Sequence, residues 1–587
     1  MAPAAAAAPA AAAAAAGSPA LRAYLLFLLA VTALKVLLAT APASQLYRST
    51  DFDVHRNWLA TSLHLPPQDW YRDGAPGAPS TAHTLDYPPL FAHFERMLAS
   101  SRVTRMLLAR GWLDGRCLAL LDDAEVCPDG GGPSDACVLF QRATVLASDA
   151  VLYWGAWFAA RAVGGSERGA LAAAALVAGS SGLVLLDHVH FQYNGMLLGI
   201  LLLSVGCLAR GASWPGPGPD TAPAAACNPW DLAGAFLYAV LLGMKHLYLT
   251  LAPLYFVYLL RHTCYVRTSS SPSKGLRFSA SNFAAVALVT LFALVPPYLP
   301  ILFAPGGSPT AAEQLAQVLR RLFPFQRGLC HDYWAANVWA LYLFLGRFAG
   351  LVGRALGWDG GNVLPDVPPS VAALFLLMGL LPAVSLAWEI ATSLHERRGG
   401  SAAGAATEAE AGSFLVHAVA FSAFSSFALS YHAHEKAIMT ALLPLALLAP
   451  RSPRHARLFL RTAALGHFGL LPLLHRPAEL ALKAALYGAY LAGALCALEW
   501  SGGHRGGLLT ARDGAGLALL GGVFAFTEVA HPILLSDWEK VAFVPLMMTS
   551  ITCAIGLIAC WGQSFSLMSA AKLEVVASAG GGRREVS

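Results

Sequence analysis

Charged residues are scarce in this sequence. Asp, Glu, Lys and Arg make up only 12% of the 587 residues, whereas 56% of the residues are hydrophobic. A typical soluble domain carries roughly 25% charged residues. Because so much hydrophobic surface needs lipid rather than water around it, the composition excludes an ordinary water-soluble protein. We also expect no nucleic-acid partner.

Long apolar runs recur from one end of the chain to the other. The longer runs approach the roughly 20 residues that an α-helix needs to cross the hydrocarbon. They occupy residues 22–41, 142–163, 169–186, 231–261, 281–303, 370–391, 413–430, 457–474, 477–499, 514–530 and 541–562. Shorter runs at 195–209 and 437–450, and a division of 231–261 into two helices, bring the number of spans to about 14. The sequence therefore predicts an all-α polytopic membrane protein.

Two familiar local patterns are absent. No C-x-x-C or similar metal-ligand spacing occurs, so the cysteines indicate no zinc site. No N-x-[ST] sequon offers an independent check on which loops face a lumen. Three of the ten cysteines, Cys117, Cys127 and Cys137, share the first large loop. A lumenal loop permits a disulfide among them, but the sequence does not assign the pair.

Basic residues determine the predicted orientation, because short loops rich in Lys and Arg stay on the cytoplasmic side. The loops 261–278 and 451–457 contain basic residues and no acidic ones. Counting helices outward from these loops places both termini in the cytosol and the polar loops on the opposite, lumenal face. The polar loops are residues 44–140, 187–194, 305–333, 431–436 and 531–540.

We predict a single transmembrane domain over residues 21–565, between a disordered Ala-rich tail (1–20) and a cytosolic tail (566–587). The first large loop of this domain, 44–140, is lumenal. The segment 334–353 also resembles a span, but counting it would make the number of spans odd. We therefore interpret it as a re-entrant or interfacial helix, which a membrane protein tolerates beside a cavity.

The first span has two interpretations. Arg22, an apolar run and the small residues of ATAPASQ resemble a cleaved secretory signal. However, the run is longer than the usual signal core and contains Lys35. Cleavage would also remove a helix that the even count requires. We predict a retained anchor in which Lys35 snorkels toward the membrane surface.

The stretch STDFDVHRNW, residues 49–58, places Asp51 and Asp53 directly after the first span. Charged groups beside a membrane segment indicate function when they cluster at a cavity. In an extended backbone the two carboxylates would point the same way, whereas on a helix they would diverge by about 200°. The structural alternative is that Thr50 or Asp51 caps a helix.

Four more polar motifs fall on the same predicted face. They are LDYPP (85–89), DHVHFQYN (187–194), RLFPFQRGLCHDYW (321–334) and YHAHEK (431–436). Any one of them could be an ordinary interfacial loop. Because all of them share one side with STDFDVHRNW, we interpret the five motifs as the lining of one polar site.

Together with KHLYLTLAP (245–253), these motifs resemble, in order and over nearly the whole chain, the dolichyl-phosphate-glucose-dependent α-1,3-glucosyltransferases of the endoplasmic reticulum. That family belongs to the GT-C superfamily, and two of its enzymes add the first and the second glucose to a lipid-linked oligosaccharide. TDFDVHRNW and GLCHDYWAANVWALY resemble the second-glucose enzyme; the first-glucose enzyme is the alternative. Asp53 stands where Glu is usual in the family, so Asp51 is the preferred catalytic carboxylate.

The resemblance implies a GT-C fold and an inverting transfer from dolichyl phosphate glucose to a dolichyl-diphosphate oligosaccharide, in the endoplasmic reticulum membrane. Such a step needs a base within about 3 Å of the acceptor hydroxyl and groups that hold the departing phosphate. We predict no metal and no cofactor, since a lipid phosphate is already a good leaving group. The hypothesis makes Asp51 the base. The basic residues that could face the phosphate are Lys245, Arg327, His331, His434 and Lys436. The other predicted substrate-binding residues are Asp53, Arg56, Trp58, Asp86, Tyr87, His188, His190, Gln192, Trp334 and Glu435.

These roles have structural alternatives. His188 and His190 could cap a span, Glu435 and Lys436 could pair with neighbouring helices, and the aromatic residues could form an interfacial belt. Two other protein classes are also compatible with buried charge. A secondary transporter would show two half-repeats, which this sequence lacks. A non-catalytic scaffold with the same fold would be expected to lose the carboxylates and bases.

Overall fold

The computed structural model describes most of the chain between its two termini. The described residues are 19–40, 49–72, 74, 83–120, 134–214, 227–267, 275–303, 309–325, 328–331, 334–357, 363–397, 404–502, 507–535 and 537–577. Most of the predicted N-terminal tail, the end of the predicted C-terminal tail, Cys127 and Arg327 lie outside the described residues.

The described residues are mainly helical, which confirms the all-α prediction. In chain order the helices are α1 (Pro19–Thr40), α2 (Thr50–His64), α3 (Pro89–Ser100), α4 (Arg102–Ala109), α5 (Asp135–Val163), α6 (Glu167–Ala178), α7 (Ser181–Leu183), α8 (Asn194–Ala212), α9 (Pro229–Met244), α10 (Ala252–Thr263), α11 (Ala280–Leu294), α12 (Leu299–Leu302), α13 (Ala311–Leu322), α14 (Val338–Ala355), α15 (Pro369–Arg397), α16 (Gly404–Leu429), α17 (Ile438–Leu448), α18 (Pro453–Phe468), α19 (Leu480–Gly502), α20 (Ala511–Ala525), α21 (His531–Leu534) and α22 (Val544–Ala577). A short antiparallel hairpin of β1 (Tyr265–Arg267) and β2 (Leu276–Phe278) lies between α10 and α11.

Eleven helical segments of the described chain are long and apolar enough to cross a membrane. This finding confirms a polytopic membrane protein, but the predicted count of about 14 is not confirmed. The predicted division of 231–261 occurs, with a 3₁₀ turn at His246–Leu251 between α9 and α10. The run 437–450 contains the short helix α17, and the run 457–474 overlaps α18, which has only 16 residues. The side chains of α17 are nearly all buried in protein, and an apolar run does not distinguish a protein core from lipid.

Two predicted boundaries fall on continuous helices. The segment 334–353 covers most of α14, which is mainly intermediate or exposed rather than buried and has the length and composition of a span. Its interpretation as a re-entrant or interfacial helix stays a prediction. At the other end, α22 continues without a break to Ala577, beyond residue 565, where the predicted membrane domain ends.

Helices α5 and α8 pack backbone to backbone. A Cβ atom built on Gly155 of α5 would lie 2.4 Å from the carbonyl oxygen of Gly199 on α8. Because neither glycine has a side chain, the two helices can approach this closely. The contact positions the first residue of α8, Asn194, against the core of the protein.

Lys35 is not at the membrane surface, so the snorkelling prediction is wrong. Its side chain is fully buried, and its Nζ donates a hydrogen bond to Oδ2 of Asp149 on α5 at 2.7 Å. Nε2 of His188 lies 2.9 Å from the same oxygen. Since an unpaired charge at membrane depth is costly, these three side chains hold α1, α5 and the turn before α8 together.

A disulfide joins Cys117 to Cys137 and thereby provides the pairing that the sequence left open. It ties the loop after α4 to the first turn of α5. The guanidinium of Arg56 on α2 donates a hydrogen bond to the carbonyl oxygen of Ala119 in this loop at 3.1 Å. The first large loop is therefore fastened to α2 as well as to α5.

Replacing Lys35 by Met should destabilise the protein strongly. The change leaves the buried carboxylate of Asp149 without its ammonium partner, which costs about 3–5 kcal/mol. The apparent melting temperature of the purified protein in detergent would measure this loss. Lys540→Met, at an exposed position, should have little effect. Equal melting temperatures for the two variants would contradict the inferred role of Lys35.

Candidate active site

The stretch STDFDVHRNW begins a helix, as the capping alternative predicted, but the cap is Ser49 and not Thr50 or Asp51. Its hydroxyl accepts a hydrogen bond from a backbone N–H of the first turn of α2 at 3.3 Å. The same hydroxyl donates to the carbonyl oxygen of His190. Asp51 and Asp53 both lie in this first turn, where carboxylates are stabilised by the partial positive charge of the helix N-terminus.

The helical backbone separates the two carboxylates, since residues two apart diverge by about 200°. Asp51 contacts polar side chains from distant parts of the chain. Its Oδ2 lies 3.2 Å from Nε2 of His190 and 3.4 Å from Nζ of Lys436. The amide Nε2 of Gln192 donates to the same oxygen. The Asp51 side chain is 31% exposed, so a substrate can still reach it.

Asp51 and Lys436 form an ion pair in which both groups are charged. Burial raises the pKa of Asp51, but the ammonium of Lys436 and the hydrogen bond from His190 outweigh burial and hold this pKa well below its ordinary value. Burial also lowers the pKa of Lys436, and Asp51 and Glu435 more than compensate, so this pKa is raised. The pair therefore offers a carboxylate that can accept a proton and a cation beside it.

The backbone of the loop between His190 and Gln192 is strained. Phe191 has a φ angle of 84°, in the left-handed region that few non-glycine residues adopt. Its buried ring packs edge-on against Phe52 with the centroids 5.1 Å apart. This packing offsets a strain of about 1–3 kcal/mol. The side chains on both sides of Phe191 contact Asp51, so the strained residue holds the loop in the conformation that the site needs.

Asn194, the first residue of α8, orients Gln192. Its Nδ2 donates to Oδ1 of Asp187 at 3.0 Å and to Oε1 of Gln192 at 2.6 Å. Its Oδ1 accepts a hydrogen bond from Nζ of Lys245 at 3.3 Å. A carboxylate on one side and an ammonium on the other allow one orientation of the Asn194 amide, and this orientation directs the NH₂ group of Gln192 at Asp51. The predicted site residues did not include Asn194 or Asp187, although both belong to the DHVHFQYN motif.

A second cation lies close to the first. Lys245 follows the last residue of α9, and its Nζ lies 4.8 Å from the centroid of the Tyr87 ring. Burial, and then repulsion by Lys436, lowers the pKa of Lys245 to about 7. Asp86 acts electrostatically on both lysines. The two ammonium groups form a positive region beside Asp51, which suits a phosphate.

Three imidazoles, those of His331, His432 and His434, lie close together next to Lys436 in the site. The ring of His331 lies 4.1 Å from that of His434 and 5.6 Å from that of His432. Burial and the charge of Lys436 lower the pKa of His434 well below its ordinary value, so this ring is neutral. Donor atoms of His331, His434 and Glu435 all lie within 4.8 Å of one another. This group could hold a metal ion, although the sequence predicted no metal site.

Several predicted substrate-binding residues make contacts within the scaffold. They are Arg56, Trp58, His188 and Trp334. Arg56 and His188 make the loop and core contacts described above. The ring of Trp58 meets that of Tyr87 at 5.0 Å, and the ring of Trp334 meets that of Phe543 at 4.9 Å. Trp334 and His432 also have positive φ angles, 42° and 52°, so backbone strain occurs in the other predicted site loops too.

The sequence analysis missed one buried pair that positions α2. Nδ1 of His55 lies 2.7 Å from Oε1 of Glu95 on α3, and both side chains are almost fully buried. The imidazole also packs against Trp58 and Phe91, with centroid distances of 4.9 and 5.6 Å. The only sequence signal for this pair is that His55 belongs to STDFDVHRNW and that Glu95 lies six residues after the end of LDYPP.

Known proteins resemble this chain over almost its whole length. Residues 31–564 match the model of the ALG6, ALG8 glycosyltransferase family. A protein of Arabidopsis thaliana named dolichyl pyrophosphate Glc1Man9GlcNAc2 alpha-1,3-glucosyltransferase is 32% identical over 92% of this chain and 96% of its own length. Proteins of the same name from Mus musculus and Gibberella zeae are 32% and 33% identical, over 92% and 91% of this chain and 94% and 96% of their own lengths. The chain therefore belongs to the ALG6, ALG8 glycosyltransferase family.

Proposed function

We propose that this chain transfers glucose, in α-1,3 linkage, to the dolichyl-pyrophosphate-linked oligosaccharide Glc1Man9GlcNAc2. The support is the name shared by relatives that match 92% of the chain, together with the family match over residues 31–564. The product carries a second glucose. The alternative acceptor, which has no glucose, is not the one that these names state.

The donor that we infer is dolichyl phosphate glucose, whose sugar is β-linked to the phosphate. The oxygen of the acceptor 3-hydroxyl attacks the anomeric carbon, and the bond from this carbon to the phosphate oxygen breaks. The electron pair of that bond leaves with dolichyl phosphate, and the hydroxyl proton passes to a base. A single displacement of this kind inverts the anomeric carbon, which accounts for an α-linked product.

Asp51 is the base in this proposal. The observation that carries it is the convergence of His190, Gln192 and Lys436 on one oxygen of a carboxylate whose side chain is partly exposed. These contacts hold the carboxylate in place, as a base within hydrogen-bond distance of a hydroxyl requires. The side chain of Asp53 points elsewhere on the same helical turn.

Lys436 connects the base to the leaving group. While Lys436 pairs with Asp51, it keeps the pKa of the carboxylate low, and a carboxylate of low pKa is a weak base. A donor phosphate bound between Lys436 and Lys245 would attract the ammonium away from Asp51. Burial would then raise the pKa of Asp51, so the carboxylate becomes a stronger base when the donor is present. The same lysines stabilise the charge that grows on the departing phosphate.

The neighbouring imidazoles extend this phosphate site. His331 and His434 lie beside Lys436 and can donate hydrogen bonds to phosphate oxygens. The sequence adds Arg327 to this group, and Tyr87 and Asp86 lie beside Lys245.

We further propose the location and orientation of the enzyme. It is an endoplasmic reticulum membrane protein whose site faces the lumen and whose termini are cytosolic. The basic loops at 261–278 and 451–457 support this orientation.

Asp51→Asn should abolish glucosyl transfer while the fold persists. Loss of a general base typically costs about 10²- to 10⁴-fold in rate. The assay uses purified protein, synthetic dolichyl phosphate glucose and acceptors ending in mannose or in one glucose. Wild type should act on the glucose-ending acceptor, and Asp53→Asn should retain most of this activity. Transfer to the mannose-ending acceptor would reassign the step, and full activity of Asp51→Asn would exclude Asp51 as the base.

The alkaline side of the pH profile should depend on Lys245. Because its pKa is lowered to about 7, the ammonium is present below this pH and is lost as the pH rises through it. The kcat/KM value for the donor should therefore fall above pH 7, by up to about tenfold per unit. Lys245→Arg keeps a charge at every accessible pH and should flatten this limb. Identical alkaline limbs for the two proteins would contradict the proposed role of Lys245.

A further inference from the structure

The basic loop RSPRHAR, residues 451–457, lies beside two cavities that the proposed reaction does not use. One cavity, of about 540 Å³, lies between this loop and the C-terminal part of α22 and is lined by Arg451, Arg454 and Arg457. The other, of about 580 Å³, lies among α18, α19, α20 and α22. Arg457 lines both cavities, so they adjoin at this residue.

The lining of the two cavities is strongly basic. Five arginines contribute to it, against only two carboxylates, Asp513 and Glu574. Arg461 is neutralised, because its Nε donates to Oδ1 of Asp513 at 2.6 Å. Among the described residues, no carboxylate lies within ion-pair distance of Arg457 or Arg512. An anion would therefore find an excess of positive charge here.

Arg457 is held in position for such an anion. Its Nε donates a hydrogen bond to the carbonyl oxygen of Leu508 at 2.8 Å, which fixes the guanidinium and leaves its terminal amino groups directed elsewhere. The two histidines of the smaller cavity, His417 and His455, are bonded to each other through their Nε2 atoms at 2.8 Å. The arginines are therefore the principal anion-binding groups of this cavity.

The larger cavity changes from polar to apolar along its length. Arg457, Arg512 and Asp513 line it where α18 and α20 begin, and the rest of its wall consists mainly of aliphatic side chains such as Leu491 and Ile555. A compact hydrophilic anion would leave this apolar wall unfilled. An amphiphile with an anionic head and a hydrocarbon tail matches both parts.

This site is separate from the one around Asp51. Helix α17 begins two residues after Lys436 and ends three residues before Arg451, and its 11 residues measure about 16 Å along the axis. None of the residues that contact Asp51 lines either cavity. The ligand of the arginine site is therefore not the glucose donor held by Asp51 and Lys436.

We infer that the two cavities form a binding site for an anionic glycerophospholipid. The phosphate of the lipid lies between Arg457 and Arg512, and an acyl chain occupies the apolar part of the larger cavity. Because basic pockets between transmembrane helices attract anionic head groups, the site selects phosphatidylserine over phosphatidylcholine. This inference does not depend on the assignment of Asp51.

Native mass spectrometry of the full chain tests the selection of the head group. The protein is released from nanodiscs of phosphatidylcholine that contain phosphatidylserine, and the retained lipid is identified. Wild type should retain phosphatidylserine preferentially, and Arg457→Ala/Arg512→Ala should weaken retention by about 25-fold. Arg277→Ala, an exposed arginine on β2 outside both cavities, should behave as wild type. Equal retention of the two lipids, or unchanged retention by the double variant, would overturn the inference.

A second pair of variants tests the acyl chain without changing charge. Gly516 and Gly514 are both on α20, and a Cβ at either position would meet no atom within 4 Å. Only Gly516 lines the larger cavity. Gly516→Phe should therefore fill the cavity and displace phosphatidylserine at least tenfold, whereas Gly514→Phe should not. Because glycine is unfavourable within a helix, both variants should fold. Equal retention by the two variants would show that the cavity holds no acyl chain.

Discussion

Charge cannot remain unpaired inside a membrane protein, because the loss of hydration costs several kcal/mol per group. Asp149 illustrates this requirement for a charged partner. It is buried on α5, and Lys35 and His188 satisfy it from two other segments. The loop that contacts Asp51 begins at His190, two residues after His188. A buried electrostatic requirement in the core thus determines where the polar loop of the site emerges.

The site itself depends on contacts between segments that are distant in sequence. Asp51 comes from α2, Gln192 from the loop before α8, and Lys436 from the turn before α17. The strain at Phe191 and the amide orientation at Asn194 both favour a single geometry for this meeting. A carboxylate held this way needs little reorganisation when a substrate arrives, which is the physical basis of preorganised catalysis.

In the proposed mechanism, phosphate recognition and base strength are linked through Lys436. The same ammonium that lowers the pKa of Asp51 is placed to meet the donor phosphate. In the proposed mechanism, Asp51 is consequently a weak base until the leaving group is in position. Such a link limits proton transfer to the complete complex, without a separate conformational switch. The arginine-lined cavities lie beyond α17 from Asp51, so the proposed lipid site and the proposed catalytic site occupy different parts of the protein.

The sequence by itself determined the class of the protein and the motifs in which its polar side chains lie. Composition and long apolar runs are sums over local properties, so they predict membrane helices without any knowledge of packing. The motifs also contain Asp51, His190, Gln192 and Lys436, whose side chains lie in contact in the structure. They could not predict that α17 would be only 11 residues long and almost fully buried in protein, because a run of apolar residues is equally suited to lipid and to a protein core.

Tertiary structure alone decided the partner of each charged or polar group. Because a helix begins directly after Ser49, the side chains of Asp51 and Asp53 point in different directions. His188 is buried against Asp149 and therefore contributes to the packing of the core. Asn194 entered the site because Lys245, from another helix, completes its hydrogen bonds. The pairing of Cys117 with Cys137 was settled in the same way. Each of these outcomes depends on distances between residues far apart in the chain, and local periodicity contains no information about such distances.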